Sequence, residues 1–104
     1  MKQLKSDLRQ FDKERNWSVY HSPKNLSMAL AVEAAELMEI FQWMTEKESQ
    51  VTEPEVLIHL KEEIGDVQIY LTLIADRFNL CPIEEAKKKL KKNKIKYPVL
   101  VDFL

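Results

Sequence analysis

A chain of 104 residues, 45% hydrophobic and 32% charged with a net charge of −1, has the size and make-up of one small globular domain spanning residues 1–104. Its single cysteine, Cys81, excludes an intramolecular disulfide framework and points to a reducing, cytoplasmic compartment. No N-terminal apolar run has the look of a signal peptide, and no apolar run approaches the ~18 residues of a membrane span.

One glycine and four prolines leave few breaks, so the chain reads as all-α, with four helices. The first is expected from about Lys2 to Arg15, where Leu4, Leu8, Phe11 and Arg15 fall at helical spacing. A linker, "NWSVYHSPKN", mixes aromatic and polar residues. Within it Ser22 is placed to cap a second helix that has Pro23 at its first position and continues to about Met44. The polar "TEKESQV" reads as a loop. Thr52 and Glu55 then form a capping-box pattern for a third helix, which runs to about Phe78. Pro82 opens the fourth, which runs to about Lys94 and is ended by "KYP", because a residue before proline is biased away from helix.

Charge is segregated along this plan. Leu26 to Asp76 holds eleven acidic residues against two lysines, whereas Glu84 to Leu104 holds seven lysines against three acids. An acidic middle suits cations; a basic tail suits phosphates or is a solvated helix face. On a helical wheel Leu26, Leu30, Leu37, Ile40 and Met44 form one apolar stripe with Glu33 inside it and Glu36 at its edge. The third helix repeats the plan: Val56, Leu60, Val67, Tyr70 and Ile74 form the stripe, with Glu63 inside and Asp66 at the edge. Spacing alone says little, since roughly three acidic i,i+3 pairs are expected by chance. Burial says more. An ionised carboxylate in an apolar stripe is very costly unless it is paired or binds a metal, and no cation of the second helix can reach Glu33. Two helices that turn carboxylate pairs inward can cage a divalent cation, and hard oxygen ligands favour Mg²⁺ or Mn²⁺ over zinc. The alternative is that Glu33 and Glu63 lie at a bundle edge and reach solvent.

The stretches "ERNWSVYHSPKNL", "EAAELMEIFQW", "EEIGDVQIYL" and "NKIKYP", with 26 residues between Glu36 and Glu63, carry a resemblance. Together they resemble the ExxE…ExxD pattern of the MazG-like all-α nucleotide pyrophosphohydrolases, and within these the dCTP pyrophosphatase branch, over about Glu14 to Pro98. The resemblance implies that Glu33, Glu36, Glu63 and Asp66 bind Mg²⁺. It also implies hydrolysis of a nucleoside triphosphate, dCTP or a related pyrimidine deoxynucleotide, to the monophosphate and pyrophosphate, a house-cleaning task in the nucleotide pool. Glu36 is then the candidate for orienting the attacking water. Read from the residues alone, the aromatics are core side chains, His21 is a structural histidine and His59 a satisfied or exposed one. The resemblance instead puts Trp17, His21, Trp43 and Tyr70 around the nucleotide and gives Asn93 and Lys96 base, sugar or phosphate contacts. Leu8 departs from the pattern, standing where the animal dCTP pyrophosphatases have a histidine of the base pocket.

Other readings are a di-iron carboxylate bundle, a non-catalytic helical interaction module that forms oligomers, and a nucleic-acid binder. The first needs Glu-x-x-His pairs that are missing, and the last conflicts with the acidic middle of the chain. The second helix is apolar around nearly its whole circumference, with Met28, Ala31, Val32, Ala35 and Met38 opposite the first stripe. Such a helix must be covered on all sides, which three other short helices can hardly do. The expectation is a four-helix bundle-type fold completed by homo-oligomerisation. The resemblance makes that assembly a tetramer, a dimer of dimers, whose active sites are completed by neighbouring subunits.

Overall fold

The computed structural model describes residues 1–51 and 53–100, and among these every regular element is helical. Helix α1 spans Lys2–Arg15 and stops where Asn16 takes a left-handed conformation (φ 56°), which asparagine tolerates better than most residues. The reversed backbone lets the Trp17 N–H reach back to the Asp12 carbonyl at 3.0 Å. The expected linker is ordered. Ser18–Tyr20 forms a single 3-10 turn, fastened when Arg77 donates to the Ser18 carbonyl (2.8 Å) and the Asn25 side chain donates to the Tyr20 carbonyl (2.9 Å). Helix α2, Pro23–Phe41, starts as its sequence predicts. Pro23 occupies the first turn, and the Ser22 hydroxyl accepts the Asn25 N–H at 3.2 Å.

The segment expected to be a loop holds a fifth helix, α3, at Glu46–Ser49. Thr45 and Glu48 close a reciprocal capping box there, at 3.1 and 2.9 Å. The capping box expected at Thr52 lies outside the described residues. Helix α4, Pro54–Asp76, begins after Glu53 without a side-chain cap. It ends in a reversal through left-handed Asn79, where the Leu80 N–H reaches the Ala75 carbonyl at 2.9 Å. Helix α5, Pro82–Lys96, has Glu84 and Glu85 in its first turn and Lys94 and Lys96 in its last, which complements the helix dipole at both ends.

Helix α4 is the hub. Helix α2 packs along it extensively, α1 less so, and α5 only slightly. Polar ties hold α1 in place: Arg9 Nε donates to Asp76 at 2.7 Å and Lys5 Nζ to the Leu80 carbonyl at 2.7 Å. The Arg9 hydrogen bonds hold the Asp76 carboxyl below its usual range. Among the described residues Leu26 is the one apolar side chain that is fully buried, and the other buried residues are Asp12, Glu63 and Thr72. Thr72 is satisfied, donating its hydroxyl to the Gln68 carbonyl at 2.7 Å. The molecule measures 61 × 36 × 24 Å with a radius of gyration of 17.7 Å, against about 13 Å for a compact domain of this length. Met28, Val32 and Met38 on α2 and Ile64 on α4 stand more than half exposed. A side chain added at Gly65, beside Ile64, would meet nothing within 4 Å. Packing among the described residues thus leaves this apolar face of the α2–α4 pair exposed.

Candidate active site

Helices α2 and α4 bring Glu33, Glu36 and Glu63 together, with one oxygen of each within 4.8 Å of the others. The wheel positions explain this: all three carboxylates project from the stripes along which the two helices meet. Glu63 is 7% exposed. Glu33 Oε2 and Glu63 Oε2 are fully buried and have no hydrogen-bond partner among the described residues. Glu63 Oε1 has a neighbour in His59, whose Nε2 lies 3.4 Å away across one helical turn. The bundle-edge alternative therefore fails for these two oxygens, which do not reach solvent. Asp66, one turn further along α4, lies outside the 4.8 Å set, but its charge is felt at Glu33.

Carboxylates this close disfavour one another's ionisation. The Glu33 carboxyl is pushed up from its ordinary 4.5 to about 7. Burial is the main cause, followed by proton sharing with Glu36 and Glu63 and by the charges of Glu36 and Asp66. Buried oxygens without donors among the described residues, crowded by like charge, fit a hard divalent cation. The strain has a measurable consequence. In the unfolded chain Glu33 releases its proton near 4.5, whereas the native protein holds it until about 7. The native state therefore binds the extra proton, and the stability this contributes is fully present below about 4.5 and lost as pH rises through about 7. Melts in chelator are expected to show wild-type stability falling across that window more steeply than that of Glu33→Gln. Equal slopes would contradict the assignment.

A largely apolar cavity of about 140 Å³ lies between α1 and α4, with Tyr70 in its lining. Leu8, Phe11 and Asp12 of α1 form one wall, Trp17 and His21 of the turn a second, and Ile69, Tyr70 and Leu73 of α4 the third. Tyr70 links the two regions. Its phenol is pushed above its ordinary value by burial first, then by the charges of Glu33, Asp66 and Asp12. The Trp17 indole meets the Phe11 ring edge-on at 5.4 Å and the His21 ring at 6.2 Å, and this stack rests on the reversal at Asn16.

Of the residues singled out in the sequence, Trp17, His21 and Tyr70 line this cavity, and Leu8 does too. Trp43 does not: it lies beyond the end of α2 and is 90% exposed. Asn93, half-buried, and Lys96, exposed, sit on α5 and do not line the cavity. Asp12 escaped the sequence reading. It is 7% exposed and accepts a 2.7 Å hydrogen bond from His21 Nδ1. Helix α1 is rich in charge, so no local pattern sets Asp12 apart, and its burial follows from the turn that brings His21 back.

Comparison with known proteins matches this geometry to relatives. The model of the MazG-like family matches residues 28–102. The chain is 38% identical over 92 residues to dCTP pyrophosphatase 1 of Rattus norvegicus, covering 86% of this chain and 54% of that protein. The figures for dCTP pyrophosphatase 1 of Homo sapiens are 38% over 91 residues, with the same coverages. The chain thus spans about half the length of the curated relatives it matches. The crystal structure of a pyrophosphatase from Archaeoglobus fulgidus DSM 4304 superposes with a TM-score of 0.82 at 43% identity, covering 94% of this chain and 92% of that one.

Proposed function

The chain belongs to the MazG-like family, and on that premise we propose that it is a Mg²⁺-dependent hydrolase. The proposed reaction cleaves a nucleoside triphosphate, dCTP or a related pyrimidine deoxynucleotide, to the monophosphate and pyrophosphate. The observation that carries this reading is the pair of buried, partnerless oxygens of Glu33 and Glu63 beside Glu36, together with a largely apolar cavity that suits a base. Names of relatives point the same way: dCTP pyrophosphatase 1 and a pyrophosphatase.

Glu33, Glu36 and Glu63, with Asp66 one turn on, would hold Mg²⁺, and Mn²⁺ would serve the same oxygens. Such an ion supplies charge neutralisation of phosphate oxygens and a more acidic bound water. Glu36 contributes a carboxylate at the edge of the cluster, the position from which it orients the attacking water. Trp17 and Tyr70 flank the base from two walls of the cavity, and the apolar lining excludes water from it. Trp43, Asn93 and Lys96 serve the substrate from a neighbouring copy. The exposed α2 face and the elongated single chain support that assembly, proposed as a homotetramer built as a dimer of dimers. No helix among the described residues is long and apolar enough to cross a membrane.

The test is pyrophosphate release across the common deoxynucleoside and nucleoside triphosphates in Mg²⁺. The expected result is the highest kcat/KM for dCTP. Equal values for purines and pyrimidines would remove the pyrimidine preference. No release from any nucleotide would leave the non-catalytic interaction module as the better reading.

A further inference from the structure

We propose that Asp12 is a positioning residue that fixes the tautomer of His21, so that the cavity favours a base with an exocyclic amine over one with a carbonyl at the same edge. The inference rests on the reading of the cavity as the nucleoside site. It begins with what the pair can do chemically. A carboxylate offers only acceptors, so at the 2.7 Å contact between His21 Nδ1 and Asp12 Oδ2 the ring must donate. The Nδ1 proton is thereby assigned from its partner. In the neutral ring the remaining nitrogen, Nε2, is then an acceptor.

The surroundings keep this arrangement in place. The side chains of His21 and Asp12 are 17% and 10% exposed, so bulk water does little to scramble the tautomer. The Trp17 N–H bond to the Asp12 carbonyl pins the reversal that returns His21 to α1. Among the described residues Nε2 has no hydrogen-bond partner; the ring borders the mostly apolar cavity on one side and a polar cleft lined by Arg9, Asp76 and Arg77 on the other. A polar mismatch there is expensive once a bound base displaces water from the ring, because the unpaired group then has nothing else to bond. Cytosine presents an amine that can donate to Nε2. Thymine and uracil present at the same position a carbonyl oxygen, which would face the nitrogen lone pair. Leu8 adds to the case: it brings no hydrogen-bonding group to the cavity, which leaves the histidine pair a larger share of the discrimination.

The test reads both the ring and the substrate choice. The chain has two histidines, so the imidazole nitrogens of His21 can be assigned by ¹⁵N NMR with a His59→Gln control. The wild type is expected to show a protonated Nδ1 and an unprotonated Nε2, and Asp12→Asn to shift His21 toward the opposite tautomer. In parallel, the ratio of kcat/KM for dCTP over dTTP is expected to fall by about tenfold or more in Asp12→Asn. A ratio measured on one preparation does not depend on how much of the variant is folded, so a merely structural role for Asp12 would leave it unchanged. An unchanged ratio overturns the inference, as does a wild-type ring protonated on Nε2. If the variant does not fold, the wild-type ring signature alone decides. A wild type that hydrolyses no nucleotide overturns the proposed function and this inference with it, whereas an active wild type with an insensitive ratio overturns this inference alone.

Discussion

Replacing Glu33 with glutamine is expected to reduce hydrolysis to below about one-thousandth of wild type, while the metal-free protein keeps or gains thermal stability. The two halves of this result have one cause. In the absence of a cation, Glu33 is a buried carboxyl pushed to about 7 by burial and by its acidic neighbours. Glutamine keeps the shape and removes the charge conflict, so the apo fold loses a penalty. On the proposed function it also removes a hard anionic ligand, so the cluster would no longer hold the cation that a triphosphate needs in order to approach an acidic surface. Asp66→Asn is expected to act in the same direction. The measurement is pyrophosphate release together with melts in chelator and in Mg²⁺ with a non-hydrolysable nucleotide analogue. A wild type whose melting temperature ignores Mg²⁺ under those conditions would rule out the metal cluster, and a fully active Glu33→Gln would do the same.

The second large effect concerns assembly. Val32→Glu is expected to dissociate the protein into monomers with little residual activity and a sharply lowered melting temperature. Val32 is 57% exposed on the single chain, flanked one turn before by Met28 and further along by Met38, each 58% exposed. Full burial of a side chain of this size contributes about 1.5–3 kcal/mol, and a two-fold interface counts each one twice. A glutamate placed there would be buried without a partner. Against a chain in which Leu26 is the one fully buried apolar side chain among the described residues, such a loss is large. Sedimentation of wild type and variant at micromolar concentration reads the outcome. A wild type that sediments as an active, stable monomer would refute the assembly, and a stable dimer would remove the tetramer alone.

What the sequence revealed followed the reach of each signal. Helix periodicity is local and strong, so the stripes that carry Glu33 and Glu63 were legible, and the structure turns both inward. The Ser22–Pro23 start was legible because a cap and a fixed φ are properties of neighbouring residues. Helix ends were less so. Helix α2 stops at Phe41 and α4 at Asp76, short of expectation, because the apolar residues that follow keep the pattern without keeping the hydrogen bonds. Helix α3 was missed although Thr45 and Glu48 carry the capping-box spacing, since four polar residues show no periodicity to notice. Asp12 was invisible for a different reason: its role depends on a partner nine residues away, across a chain reversal. The exposed Trp43 marks the limit of a one-chain view, because among the described residues little packs against a side chain 90% open to solvent.

The acidic cluster draws its oxygens from two helices joined by a long connection, 26 residues between Glu36 and Glu63. A cation shared by them would therefore be a cross-link as well as a reagent. It would close that stretch into a loop and withdraw conformational freedom from the unfolded chain, as a disulfide does in proteins that can form one. This chain, with its lone cysteine, cannot. Resistance to unfolding and proteolysis would then follow the free concentration of the ion by mass action, tying the lifetime of the protein to the same supply on which its chemistry draws.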